Sequence, residues 1–181
     1  MRNRSEDSVG FGSSPSDSGV PVFGTLLDCD GPLVVQALAS MLELIREQLG
    51  MDVFFVSEFV DGRRVFRHVA TAPDMGIIHV GGSHAMEDSI CQQVLDGRVP
   101  NLAHDLRVLR TRQPLPEVTK PIGTHISVPV VMPDGSIYGT LCGFAVERTV
   151  DLSERDVRRL EVAAQATARV LAQAAGHAAV S

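Results

Sequence analysis

Cysteines and histidines are the residues of this chain best suited to nucleophilic, redox or metal chemistry. The three cysteines, Cys29, Cys91 and Cys142, are odd in number and widely spaced, so they predict neither a disulfide framework nor a CxxC zinc motif. We interpret them as free thiols of a protein in a reducing compartment. The chain contains no P-loop, dinucleotide fingerprint, GxSxG or HExxH motif, so the common nucleotide-dependent and hydrolytic chemistries lack their signatures.

Four potential ligands of zinc or iron surround a glycine-rich stretch: His79, His84, Glu87 and Asp88. Their spacing matches no standard metal motif, and Gly81-Gly82 between them indicates flexibility. Asp88 is better explained as an acidic residue in the first turn of a short helix, where it interacts favourably with the helix dipole. We therefore predict no metal site in this segment.

Composition and charge place the chain among soluble globular proteins. Apolar residues make up 44% and charged residues 21% of its 181 residues. The net charge is −6 and the basic residues form no run, which argues against nucleic acid as a partner. No apolar run approaches the ~20 residues that span a bilayer, and the N-terminus lacks the apolar centre of a secretory signal. We expect a cytoplasmic protein without a membrane partner.

The chain divides into one domain and two tails. Residues 1–31 are predicted to be a disordered tail and entry segment, because their first part is rich in Ser, Gly and Asp and offers little apolar surface for burial. Residues 32–175 form the predicted domain, whose size allows a sizeable core without disulfides or metal ions. Residues 176–181 are predicted to be a C-terminal tail.

Apolar periodicity predicts a helix near each end of the domain. The first runs over residues 33–49 and ends at Gly50, and the last begins at Ser153. The last helix also carries a second stripe of small or apolar residues, Ala163, Ala166 and Val170. That stripe could pack on the chain's own sheet or against another helix, and the sequence leaves both interpretations open.

Between these helices the pattern predicts mainly strands. Residues 51–60 and 64–71 form one pair joined at Asp61-Gly62, and residues 123–147 form a hairpin turned at Pro133-Asp134-Gly135. A short helix over 86–95 and a short strand over 99–103 lie between the pairs. Tight turns imply antiparallel pairing, so we predict an α+β fold with the terminal helices covering one face of the sheet.

The second strand of the hairpin has small residues on one face. Gly139, Gly143 and Ala145 share that face with Leu141, because side chains alternate along a strand. Glycines there leave room for a close approach, either by a packed helix or by a bound small molecule.

The element order and three sequence blocks resemble the GAF domain family of small-molecule sensor modules. The blocks are DSICQQVLDGRVPNLAHDLR (88–107), GTHISVPVVMPDGSIYGTLCGFAVE (123–147) and LSERDVRRLEVAAQATARVL (152–171). The resemblance covers residues 33–174. Within the family, the chain is similar to GAF modules that precede diguanylate cyclase, phosphodiesterase or histidine kinase domains in bacteria.

This resemblance implies a central antiparallel sheet of five or six strands with the terminal helices on one face. On the other face it implies a pocket roofed by residues 73–95 and 104–122. It further implies a non-catalytic sensor in bacterial signal transduction that dimerises through its terminal helices and acts on a signalling output protein. The ligand and any cofactor are not identified by the sequence.

Five residues are predicted to contact the ligand: His68, Cys91, Asp105, His125 and Phe66. His125 faces the pocket if its neighbours Ile126 and Val128 face the terminal helices. Asp105 equally fits a structural cap on the following turn, and Cys91 fits a buried inert thiol.

Other functions remain as alternatives. A scaffold domain without ligand would have its pocket filled by Phe54, Phe66 and Phe144. Some GAF proteins are free methionine-(R)-sulfoxide reductases, and Cys91 lies near one cysteine position of that family. The connection 104–122, where that family has its attacking cysteine, contains none, and covalent bilin attachment lacks its cysteine there for the same reason. Haem binding through His68, His104 or His125 has no supporting motif.

Overall fold

The computed structural model describes residues 32–178, so the predicted tail at 1–31 and residues 179–181 lie outside the described part. Within it, helices and strands follow in this order: α1 (Pro32–Leu49), β1 (Val53–Val60), β2 (Arg63–Thr71), β3 (Ser83–Ala85), α2 (Ile90–Leu95), β4 (Leu102–Ala103), α3 (Leu106–Arg110), β5 (Ile122–Val131), β6 (Ile137–Val146) and α4 (Glu154–Ala178). Short 3-10 turns cover Met86–Asp88 and Glu117–Thr119.

The six strands form one antiparallel sheet in the order β3-β2-β1-β6-β5-β4. Asp61 and Gly62 both have positive φ, 50° and 70°, which is the conformation of a two-residue hairpin turn. The β5–β6 hairpin turns at the predicted position, where Gly135 has a φ of 86°. The predicted α+β fold with an antiparallel sheet is therefore confirmed.

Two cores lie on opposite faces of this sheet. On one face α1 lies over β1 and β2 while α4 lies over β5, and their apolar stripes close on a core that includes Leu42, Leu141 and Leu160. On the other face α2, α3 and the connection after α3 cover a second core that includes Phe55 and Leu106. This is the predicted arrangement, with terminal helices on one side only.

The short central helix is divided in two. Ser89 interrupts it and caps α2, because its Oγ accepts a hydrogen bond from the Gln92 backbone N–H at 3.2 Å. At the other end of the chain, α4 continues through Ala178, into the segment predicted as a tail. Within residues 32–178 no helix is both long and apolar enough to cross a membrane.

A β-bulge changes which β2 side chains face the second core. Val56 pairs with His68, but the next residue, Ser57, pairs with Phe66, so Arg67 is an extra residue in β2. Paired residues lie on the same face, so His68 lies with Val56 on the terminal-helix side while Phe66 belongs to the other core. The expectation that both residues approach one pocket therefore holds for Phe66 alone.

The glycine face of β6 is filled by neighbouring strand β1. A Cβ atom on Gly143 would lie 2.3 Å from Cζ of Phe54, and one on Gly139 would lie 1.8 Å from the Ser57 carbonyl oxygen. The Phe54 ring and the Ser57 backbone fill this space. Both expected occupants, a packed helix and a bound small molecule, are therefore excluded from it. Phe54 is fully buried in the terminal-helix core.

Candidate functional site

A cavity of about 230 Å³ lies on the side of the second core, between the sheet and the segments that cover this face. Its floor consists of three aromatic rings from β1, β2 and β6, namely Phe55, Phe66 and Phe144. Phe66 packs edge-on against Phe55 with ring centroids 4.9 Å apart, and Phe144 does so at 6.4 Å. The predicted pocket opposite the terminal helices is therefore present, with an aromatic floor.

The cover of the cavity comes from the segments predicted to form a roof. Ile78 belongs to the segment between β2 and β3, Ile90 begins α2, and Val118 lies in the 3-10 turn before β5. These are mostly connecting segments, which in proteins are generally more mobile than the sheet beneath them. Any opening of the cavity is therefore expected in the cover rather than in the floor.

Arg64 is the charged side chain of the cavity wall. It is 5% exposed, and its guanidinium lies over Phe66 and Phe55, 4.8 and 5.5 Å from their ring centroids. Nη2 donates to Nδ1 of His84 at 3.1 Å, and Nη1 donates to Sγ of Cys91 at 3.2 Å. Nε is buried and has no hydrogen-bond partner among the residues that the structure describes.

The electrostatic character of the cavity is positive. None of the described residues that line it is acidic, and their polar members are Arg64, His84, Thr119 and His125. Burial lowers the pKa of His84, and the charge of Arg64 lowers it further. His84 is consequently neutral at neutral pH, with Nδ1 accepting from Arg64.

Two buried thiols and an imidazole meet beside this cavity. Cys91 from α2, Cys142 from β6 and His125 from β5 bring their ligand atoms within 4.8 Å of one another. The two Sγ atoms are 3.2 Å apart. Both thiols are completely buried and His125 is 1% exposed.

The two thiols differ in acidity. A hydrogen bond from Cys142 lowers the pKa of Cys91 well below its ordinary value, and the charge of Arg64 lowers it further against the opposing effect of burial. Burial raises the pKa of Cys142, and the adjacent Cys91 raises it further. The guanidinium of Arg64 beside Cys91 therefore favours a thiolate on that residue.

The five predicted contact residues do not all meet. Phe66 and His125 line the cavity, and Cys91 lies behind the wall against Arg64. Asp105 lies away from it and caps α3, with Oδ1 accepting from the Arg107 backbone N–H at 2.9 Å. His68 faces the terminal helices. Three of the five predicted contacts, Cys91, Asp105 and His68, thus lie outside the cavity lining.

Sequence reasoning missed Arg64, His84 and Cys142. Arg64 could have been found, because it is two residues from Phe66 and shares its face of β2. Cys142 shares a face with Phe144 by the same alternation. Its contact with Cys91, 51 residues away, joins α2 to β6 and has no local signal in the sequence.

Comparison with known proteins identifies the fold. The GAF domain family model matches residues 34–172. Among curated proteins, none matches the chain significantly. A GAF domain from an Acinetobacter phosphoenolpyruvate-protein phosphotransferase is 16% identical and covers 79% of this chain and 84% of its own, with a TM-score of 0.63.

Two further solved structures show the same architecture. The type II free methionine-R-sulfoxide reductase from Thermoplasma acidophilum is 14% identical, with 77% of this chain and 92% of that chain covered and a TM-score of 0.60. The second GAF domain of DevS from Mycobacterium smegmatis is 17% identical, with 82% and 98% covered and a TM-score of 0.57. At these identities the likeness establishes the fold alone.

Proposed function

Because the chain belongs to the GAF domain family, a fold used in sensing or interaction modules, we propose that it is a non-catalytic small-molecule sensor in bacterial signal transduction. The cavity of about 230 Å³ carries this proposal, since it combines an aromatic floor with a buried guanidinium. A domain used only as a scaffold has no need for such a space, and burying Arg64 without a carboxylate partner is costly.

The size of the cavity limits the ligand. Sites for drug-sized molecules usually enclose roughly 300–1,000 Å³. At about 230 Å³ this cavity suits a smaller, compact molecule. Large cofactors such as haem or a bilin do not fit without extensive opening of the cover.

The lining indicates the ligand's chemistry. Three phenyl rings favour an aromatic or branched apolar body, and Arg64 with its unused Nε donor favours a carboxylate or another strong acceptor. A small aromatic acid satisfies both requirements. In the cytoplasm, binding would order the cover, and the change would pass through the sheet to the terminal helices and a signalling partner.

A thermal-shift screen against small aromatic and branched carboxylic acids tests this function. A ligand that binds the folded state alone adds about 2.7 kcal/mol of stability at a hundred times its Kd, so a matching acid raises Tm. Ile78→Trp, which fills the cavity from its cover, should abolish the rise. His68→Asn, on the opposite face, should retain it. A screen without any rise, or a rise that persists in Ile78→Trp, would refute the proposal.

A second candidate function is favoured by one observation, the two thiols 3.2 Å apart beside the cavity. Reduction of a sulfoxide by two thiols gives a sulfide, a disulfide and water, and the Thermoplasma structural neighbour is a free methionine-R-sulfoxide reductase. Turnover of free methionine sulfoxide with a dithiol reductant, lost in Cys91→Ser, would establish this activity. Absence of turnover in the reduced wild-type protein excludes it.

A further inference from the structure

The side chains of Cys91, His125 and Cys142 have the composition and spacing of a metal site. Their ligand atoms lie within 4.8 Å of one another, and the two Sγ atoms are 3.2 Å apart. Zinc binds thiolates at about 2.3 Å and imidazole at about 2.0–2.1 Å, which places tetrahedral ligand atoms roughly 3.5–3.8 Å apart. Small movements of the side chains are therefore enough to enclose an ion.

The imidazole of His125 is an independent indication of a missing partner. The residue is 1% exposed, and within residues 32–178 neither Nδ1 nor Nε2 has a hydrogen-bond partner of good geometry. A buried polar group without a partner is uncommon and costly. The thiol of Cys91 lies close enough to interact with the ring, and Cys142 contacts Ser127 and Thr140. Coordination through one ring nitrogen supplies the absent interaction.

The environment of the two sulfur atoms suits thiolate ligands. Sγ of Cys142 lies 2.8 Å from Oγ of Ser127 and 3.2 Å from Oγ1 of Thr140. Arg64 donates to Sγ of Cys91 at 3.2 Å. Such outer groups orient metal-bound thiolates and disperse their charge, and they are typical of established metal sites. Two of the three ligands stand on the central hairpin of the sheet, which gives the site a rigid base.

We propose that Cys91, His125 and Cys142 bind one divalent cation of the zinc or ferrous iron class. Two thiolates neutralise its charge, and sulfur with imidazole selects these ions over magnesium or calcium. Three protein ligands leave a fourth coordination position, which water or a molecule in the cavity can take where His125 forms the wall. The ion would join α2 to β5 and β6, and the site does not depend on the organic ligand proposed above.

Cobalt titration of the reduced, metal-free full-length protein tests the site. Co²⁺ bound by two thiolates gives a strong thiolate-to-cobalt charge-transfer absorption, and we expect saturation at one ion per chain followed by displacement with Zn²⁺. Cys91→Ser, Cys142→Ser and His125→Gln should each weaken binding by more than about tenfold. Cys29→Ser and His68→Asn, the latter on the opposite face of the sheet, serve as controls and should bind like the wild type.

Two results would overturn the site. The first is a reduced wild-type protein without the charge-transfer absorption at saturating Co²⁺. The second is an absorption that survives unchanged in Cys142→Ser or Cys91→Ser. If a cysteine variant does not fold, His125→Gln decides the question, because its cobalt complex should retain sulfur absorption but bind more weakly. Native mass spectrometry of the zinc-loaded wild type should show one added ion with loss of two protons.

Discussion

At the scale of single residues, Gly143 shows how closely the two strands at the centre of the sheet are packed. A Cβ atom there would lie 2.3 Å from Cζ of the fully buried Phe54 ring. We expect Gly143→Ala to lower the free energy of unfolding by about 1–3 kcal/mol, because the ring must leave its packed position. Urea denaturation measures the loss. Gly76→Ala is the matched control, since a Cβ on Gly76 meets nothing within 4 Å.

The assignment to Phe54 is tested by a double mutant. Phe54→Leu removes the clash, so the two substitutions together should cost less than the sum of their separate effects. Strict additivity would show that Gly143 is required for another reason, and so would a Gly143→Ala protein as stable as the wild type.

Residue-level reasoning from sequence succeeds where a strand is regular and fails where it is not. Alternation along β5 put His125 on the face opposite Ile126 and Val128. The structure places those two toward the terminal helices, so His125 lies on the cavity face. The same rule puts Phe66 and His68 together, but the extra Arg67 in the bulge separates them. A bulge depends on how two strands pair, so the sequence of β2 alone contained no sign of it.

At the scale of elements, the N-terminus of α4 is fixed by a local carboxylate. Asp156 accepts hydrogen bonds from the Ser153 backbone N–H and Oγ, both at 2.9 Å. The hydrogen bond from the Ser153 backbone lowers the pKa of Asp156 below its ordinary value of 3.8. Since the folded-state pKa is the lower one, its stabilising contribution is complete above the ordinary value and is lost as the pH falls through the folded-state value.

Replacing this carboxylate should change the acid sensitivity of the protein. We expect Asp156→Asn to be less stable than the wild type at neutral pH, and the difference should shrink as the pH falls below about 4. Urea denaturation over a series of pH values measures it. Asp151 is an exposed residue before α4, and the stability of Asp151→Asn should depend on pH in the same way as that of the wild type. A difference that stays constant with pH would mean that the charge of Asp156 has no role in capping.

Elements themselves were largely predictable, and their long-range contacts were not. The apolar stripes of α1 and α4 and the tight turns of both hairpins are local patterns, so they identified the sheet and its terminal-helix layer. α2 is different, because its six residues carry too short a pattern to reveal what they pack against. Its contact with β6 depends on the folding of the intervening chain, and the cluster of Cys91, His125 and Cys142 was invisible for that reason.

At the scale of the whole molecule, exposed apolar side chains remain on both sides of the sheet. The segments that cover the cavity expose Ile77, Val80, Val108 and Val118, and the outer sides of the terminal helices expose others. Leu44 of α1 is 58% exposed and Val162 of α4 is 65% exposed. Of the second α4 stripe, Ala166 is exposed while Ala163 and Val170 are half-buried. The first apolar stripe of α4 is therefore buried against the sheet, and the second stripe remains at least partly exposed.

We expect this surface to pair with a second copy of the chain, and a charge test can decide it. Light scattering should give a dimer mass for the wild type and a monomer mass for the double variant Leu44→Glu and Val162→Glu, because dimer formation would bury the introduced carboxylates without partners. Val131→Glu adds one carboxylate on β5, away from the terminal helices, where Val131 is 46% exposed, and should remain dimeric. A wild type that stays monomeric at high concentration contradicts the expectation, and so does a Val131→Glu protein that dissociates equally. If the dimer forms, the terminal helices become the route by which the cavity can influence a partner, since they lie directly behind the strands that form its floor.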